Sequence, residues 1–100
     1  MFGTIAHARL KPGHAAQFDA LMQEWKRTIR PKVPGSFLEL VGHPQDRPGE
    51  VVFVALAQDE ATYRALAALP EQHAFSLRFN EHFEAEPTWE DVAMEIAIQD

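Results

Sequence analysis

Seven consecutive apolar residues, Val51-Val52-Phe53-Val54-Ala55-Leu56-Ala57, constrain the fold more than any other stretch of this chain. A short run of this kind reads as a strand with both faces covered, the position of a central strand in a sheet. The segment before it, Pro44 to Gly49, is dense in Pro, Gly and Asp and reads as a hairpin loop. Ser36 to His43 is then the preceding strand, with Phe37, Glu39 and Val41 alternating against Leu38 and Leu40. Behind the apolar run stands Asp59, where a carboxylate can accept hydrogen bonds from the free N–H groups that open a helix.

The remaining elements follow from turn chemistry and periodicity. Phe2 to Leu10 reads as a strand closed by Lys11-Pro12-Gly13-His14, in which Pro at the second and Gly at the third position is the type II turn signature. Ala15, Phe18, Met22, Trp25 and Ile29 recur at three- and four-residue steps and mark the apolar stripe of a helix. Pro31 and Pro34 end that helix, and Pro34-Gly35 makes the next turn. A second helical region runs from Asp59 to about Phe83, broken near Leu69-Pro70, with Pro70 suited to the first turn of a new segment. From Thr88 to Ile98, Val92, Met94, Ile96 and Ile98 alternate with Asp91, Ala93, Glu95 and Ala97, which predicts a fourth strand.

The order β-α-β-β-α-β is the split βαβ, ferredoxin-like pattern of an α+β fold. One domain over residues 1–100 is expected, because single domains run ~100–150 residues and the chain holds no linker or repeat. Such an antiparallel four-stranded sheet carries helices on one face only. Its other face is expected to be covered by a second subunit, giving a homodimer with two sheets packed face to face.

Charge and composition exclude several function classes. Nine Lys and Arg stand against fifteen Asp and Glu, a net charge of −6, which argues against nucleic acid. The absence of cysteine removes disulfides, thiolate metal sites and a Cys nucleophile. No stretch resembles a secretory signal or reaches the ~20 apolar residues of a membrane helix, so no membrane partner and a cytoplasmic location are expected.

Individual groups point less firmly to chemistry. His7, His14, His43, His73 and His82 form no HxH or HExxH spacing, and no metal is expected. His7 alternates with Ile5 in a strand expected to be buried, as a core histidine or as a pocket base. The carboxylates of Glu84, Glu86, Glu90 and Asp91 around Pro87 read as a solvated connection. Neither a phosphate-binding Gly-rich loop nor a nucleophile elbow around Ser36 or Ser76 is present. Phe75, Phe79 and Phe83 read as core rather than as a box for a flat ligand. Thr4, Ala6 and Ala8 share one strand face, where small side chains either leave a cavity or let the Phe18/Trp25 helix pack closely. Tyr63, the only tyrosine, lies early in the second helical region. Its phenol, with a pKa of ~10, is a hydrogen-bond donor to a phenolic ligand if it faces the sheet, and a boundary residue if it faces water.

Lys11-Pro12-Gly13 after the first strand, Pro34-Gly35 before the second and Asp59-Glu60-Ala61 opening the second helical region resemble the antibiotic biosynthesis monooxygenase family. The likeness runs from about Phe2 to Val92 and implies a dimeric α+β barrel. It also implies chemistry. Members include cofactor-free oxygenases that convert aromatic phenols or quinols to quinones. In these the substrate anion itself reduces dioxygen, and the protein supplies a pocket and proton handling. By this resemblance the ligand is a small aromatic or polyketide-like molecule, Tyr63 is the catalytic donor, His7 a candidate base and Arg64 an anion contact. The family's third-strand Asn and Trp positions hold Phe53 and Ala57 here, which with Ala6 are expected to line the substrate site. Haem-degrading relatives resemble the chain less, since their helical Trp falls on Leu66 and their haem-ligating His near Ser76. No cofactor is therefore expected. The alternative is a non-catalytic small-ligand-binding or stress-related barrel that keeps the fold without the chemistry.

Overall fold

The Pro12-Gly13 turn closes as its residues dictate, with Gly13 at φ 79°, a conformation that side chains other than glycine rarely adopt. In the computed structural model, which describes residues 1–100, this turn joins β1 (Phe2–Arg9) to α1 (Ala15–Thr28). A short 3₁₀ turn at Arg30–Lys32 precedes β2 (Phe37–Gly42), and a hairpin leads into β3 (Glu50–Ala57). Then come α2 (Glu60–Ala67), α3 (Pro70–Asn80) and β4 (Thr88–Ala93). The second helical region is thus two helices. Asp59 caps the first through a 2.8 Å bond from the Thr62 N–H to its carboxylate, and Pro70 opens the second.

The four strands form one antiparallel sheet in the order β2-β3-β1-β4, so the apolar run is central. This is the ferredoxin-like arrangement expected from the element order. Thr4 pairs with Ala55 and Asp91, and Ala6 with Phe53 and Trp89. Glu39 pairs with Ala55, and Val41 with Phe53. By the two-residue alternation of strands, these side chains share the face that the helices cover. Leu38, Leu40, Ile5, His7, Val52, Val54 and Val92 lie on the other face. At Gly3 a Cβ would come within 1.7 Å of the Ala55 carbonyl oxygen, so the β1–β3 ladder admits no side chain there.

Three expectations change. On α1 the buried residues are Phe18, Leu21 and Trp25, continued by Ile29, whereas Ala15 is exposed and Met22 only half-buried. Counting back from Ile29 in steps of four, four and three reaches Trp25, Leu21 and Phe18, a narrower stripe than the one expected. The last strand ends at Ala93 rather than Ile98. Met94 still exchanges hydrogen bonds with Met1, but no neighbouring strand continues beyond it, and Ile96 and Ile98 are exposed. His7 is exposed on the helix-free face, because β1 turns Thr4, Ala6 and Ala8 toward the helices.

The core is divided. One cluster joins Ala6, Leu10, Phe18, Val51, Phe53 and Phe83, and a second joins Leu21, Trp25, Ile29, Val33, Leu66 and Phe75. Phe79 packs against both. No helix is long and apolar enough to cross a membrane.

Candidate functional site

The gap between the two core clusters is a cavity of about 330 Å³, bounded by the sheet, α1, α2 and α3. That volume is at the lower end of the ~300–1,000 Å³ usual for small-molecule sites. At ~30 Å³ per water it displaces on the order of ten waters, room for the carbons of a bicyclic ring. Its walls are aromatic: Phe18, Trp25, Phe37, Phe53, Phe79, Phe83 and Trp89 all contribute. Phe18 and Phe53 meet at 6.3 Å between ring centres, and Trp89 stands edge-on to Phe53 at 5.8 Å. The room exists because Thr4, Ala55 and Ala67 are small where larger side chains would close it.

Polar groups are few. Trp25 donates its indole N–H to Gln72 Oε1 at 2.6 Å, which fixes the indole against α3. Ser76 donates to the Gln72 carbonyl. The only ionisable side chains on the wall are Tyr63 and Glu39.

Tyr63 sits one turn into α2 and donates its hydroxyl to Asp91 Oδ1 at 3.2 Å. Arg64 holds the other Asp91 oxygen at 2.9 Å and also reaches Glu60. Its guanidinium lies over the Phe2 and Tyr63 rings at 5.2 and 5.6 Å. Burial, then the Asp91 charge and hydrogen bond, push the Tyr63 phenol above its ordinary value near 10. Tyr63 is therefore a proton donor at neutral pH and not a base. The negative charge of Asp91 in turn raises the already high Arg64 value, chiefly through their hydrogen bond.

Glu39 is the residue that sequence reasoning passed over. It lies half-buried on β2 between Phe37 and Val41, facing the cavity. Burial alone pushes its carboxyl up to about 7, because no cation or hydrogen-bond donor offsets the lost hydration. The signal was present in the strand's alternation, which puts a glutamate in phase with Phe37 and Val41.

Of the other residues singled out from the sequence, Phe53 lines the cavity beside Tyr63. Ala6 and Ala57 are fully buried in packed structure and do not reach it, so the small-residue face of β1 serves close packing at Ala6 and the cavity only at Thr4. Arg64 is exposed and committed to Asp91 and Glu60 at the surface. His7 is on the opposite face of the sheet. His14 and His82, far apart in sequence, meet outside the cavity with their Nδ1 atoms 3.0 Å apart, so one ring must donate and the other accept. No group of three or more His, Cys, Asp or Glu could hold a metal ion.

This fold is shared with solved structures of antibiotic biosynthesis monooxygenase-like proteins. The chain is similar to a structure described as an antibiotic biosynthesis monooxygenase, with a TM-score of 0.72 at 21% identity over 96% of this chain and 100% of that one. SnoaB, a cofactor-independent oxygenase from Streptomyces nogalater solved as a mutant, superposes with a TM-score of 0.73 at 14% identity, covering 96% of this chain and 95% of that one. A conserved protein from Methanosarcina mazei Go1 gives 0.76 at 14% identity over 92% and 90%. No family model and no curated protein matches the chain in sequence. At these identities the likeness establishes the fold; chemistry has to be argued from the site.

Proposed function

We propose that this chain is a cofactor-independent monooxygenase acting on a small aromatic phenol or quinol, or on a polyketide-like molecule of similar size. The observation that carries the reading is the aromatic-walled cavity, which holds one phenolic donor and one carboxyl on a fold shared with SnoaB. For a phenol the reaction balances as substrate plus one dioxygen giving the quinone and one water. Phe53 and the neighbouring rings stack on the substrate, and the Tyr63 hydroxyl turns from Asp91 Oδ1 to donate to the substrate oxygen instead. Asp91 and Arg64 position the Tyr63 ring from outside, so Arg64 acts through Tyr63.

The working unit is a homodimer closed over the helix-free sheet face. Leu38 and Leu40 are 43% and 56% exposed there, beside Ile5, Val54 and Val92, a continuous apolar patch that monomers seldom leave open. A cytoplasmic location completes the proposal. Light scattering at micromolar concentration should give twice the 11.3 kDa of one chain, and the single-chain mass would refute the dimer.

Oxygen uptake with a panel of naphthols and hydroxyanthrones tests the activity. One labelled atom from ¹⁸O₂ should appear in the quinone, and Tyr63→Phe should lower turnover by ~10²–10⁴-fold if Tyr63 acts as a general acid. The second reading, a ligand-binding or stress-related barrel, is favoured by the Tyr63 hydroxyl already being held by Asp91. Binding without oxygen uptake, and no effect of Tyr63→Phe, would establish it.

A further inference from the structure

The cavity wall carries no Lys, Arg or His, and its two ionisable groups differ in what they can do. Tyr63 keeps its proton at neutral pH. Glu39 faces inward from the edge strand β2 with neither an ion pair nor a hydrogen bond to satisfy its carboxyl. An inward charge on an edge strand can serve simply to discourage edge-to-edge pairing. Such a charge works as well in water, however, whereas this carboxyl lies on the wall of a cavity lined with aromatic rings.

We propose that Glu39 is the proton acceptor for the bound ligand, and that the ligand is a neutral aromatic carrying an ionisable hydroxyl. The inference rests on the oxygenase reading above and deepens it. In the step, the ligand O–H bond breaks, its electron pair stays on the ligand oxygen, and the proton moves to a Glu39 carboxylate oxygen. A neutral carboxylic acid then faces a phenolate, the electron-rich form that can reduce dioxygen. Substrates bearing a carboxylate or phosphate are excluded, because no cation on the wall meets them and Glu39 repels them.

Burial makes the carboxyl suited to this task. Raising its value from 4.5 to about 7 narrows the gap to a phenol near 10. The fraction of ligand held as phenolate rises roughly three-hundredfold over what an ordinary carboxylate at 4.5 would give.

The test uses 2-naphthol, whose neutral and anionic forms emit at different wavelengths and whose excited state gives up its proton readily to a nearby base. Binding is followed by quenching of Trp25 and Trp89, which line the cavity. At pH 8 the bound probe should emit as naphtholate with the native protein. With Glu39→Gln it should bind within about threefold of native affinity and emit as neutral naphthol, and Glu39→Asp should restore part of the anionic emission. Below pH 6, where Glu39 is protonated, the native protein should behave like Glu39→Gln. Bound naphthol that emits identically in all three proteins overturns the role of Glu39 and leaves the phenol-binding cavity standing. No quenching at millimolar probe overturns both.

Discussion

Filling the cavity should make the protein more stable while removing its ligand site. Ala55 is the position for this, since it lies mid-strand on β3, faces the helices and borders the open volume between Thr4 and Glu39. Ala55→Leu adds three carbons, ~90 Å³ at the volume of a water each, well under a third of the 330 Å³ available. At ~0.8 kcal/mol per buried CH₂ the upper bound is ~2.4 kcal/mol. The position is only half-buried in the native chain, so ~1–2 kcal/mol is expected. For a domain of this size that corresponds to a rise in Tm of roughly 5–15 °C, measured by circular dichroism or calorimetry. Quenching of Trp25 and Trp89 by 2-naphthol should disappear in the same variant. A fall in Tm would refute the reasoning, because adding carbons to a wall already in contact costs ~1–3 kcal/mol through strain.

Three further outcomes follow from the packing and the charges. Trp25→Ala should cost ~3–5 kcal/mol in denaturant unfolding, since the indole is buried, bonded to Gln72 at 2.6 Å and 5.2 Å from the Phe37 ring; a cost under ~0.5 kcal/mol would place it outside the core. Gly3→Ala should destabilise by ~1–3 kcal/mol or more, because its methyl group would collide with the Ala55 carbonyl at 1.7 Å and the backbone cannot yield cheaply; an unchanged Tm would refute the close approach. Glu39 binds its proton more tightly folded than unfolded, so its contribution favours the folded state below about pH 4.5 and is lost as pH rises toward about 7. The bound on that loss is ~3 kcal/mol, reduced by the partial exposure of the carboxyl, and a stability–pH profile of Glu39→Gln that fell as steeply as the native one would exclude Glu39 as its source.

Local signals carried most of the fold. The Pro12-Gly13 turn, the Asp59 cap and the Pro70 helix start each depend on residues within one turn of one another, and each forms as its chemistry requires. Periodicity placed α1 but let its stripe begin too early, at Ala15. The expectation failed where the outcome depends on distant chain. Nothing near Ile96 reveals that no strand runs beside it past Met94. Alternation puts Ile5 and His7 in one phase of β1, yet only the sheet order decides that this phase faces away from the helices. The same ambiguity hid Glu39, whose phase was legible and whose direction was not. The His14–His82 contact joins the start of α1 to the chain beyond α3, a meeting that no spacing along the sequence encodes.

Two features of the interior work against stability. A cavity splits the core into two six-residue clusters where a leucine at position 55 could join them. A carboxyl is half-buried with no partner, although glutamine there would remove its charge at similar size. Local departures from good packing and polar pairing concentrate at sites that do something else. Both departures here fall on the same cavity. An edge-protecting glutamate would explain the charge but not the void, and a packing defect would explain the void but not the charge. A hydroxylated aromatic ligand accounts for the two together: its rings fill the volume between Phe53 and Phe79, and its hydroxyl gives Glu39 the partner that the chain withholds.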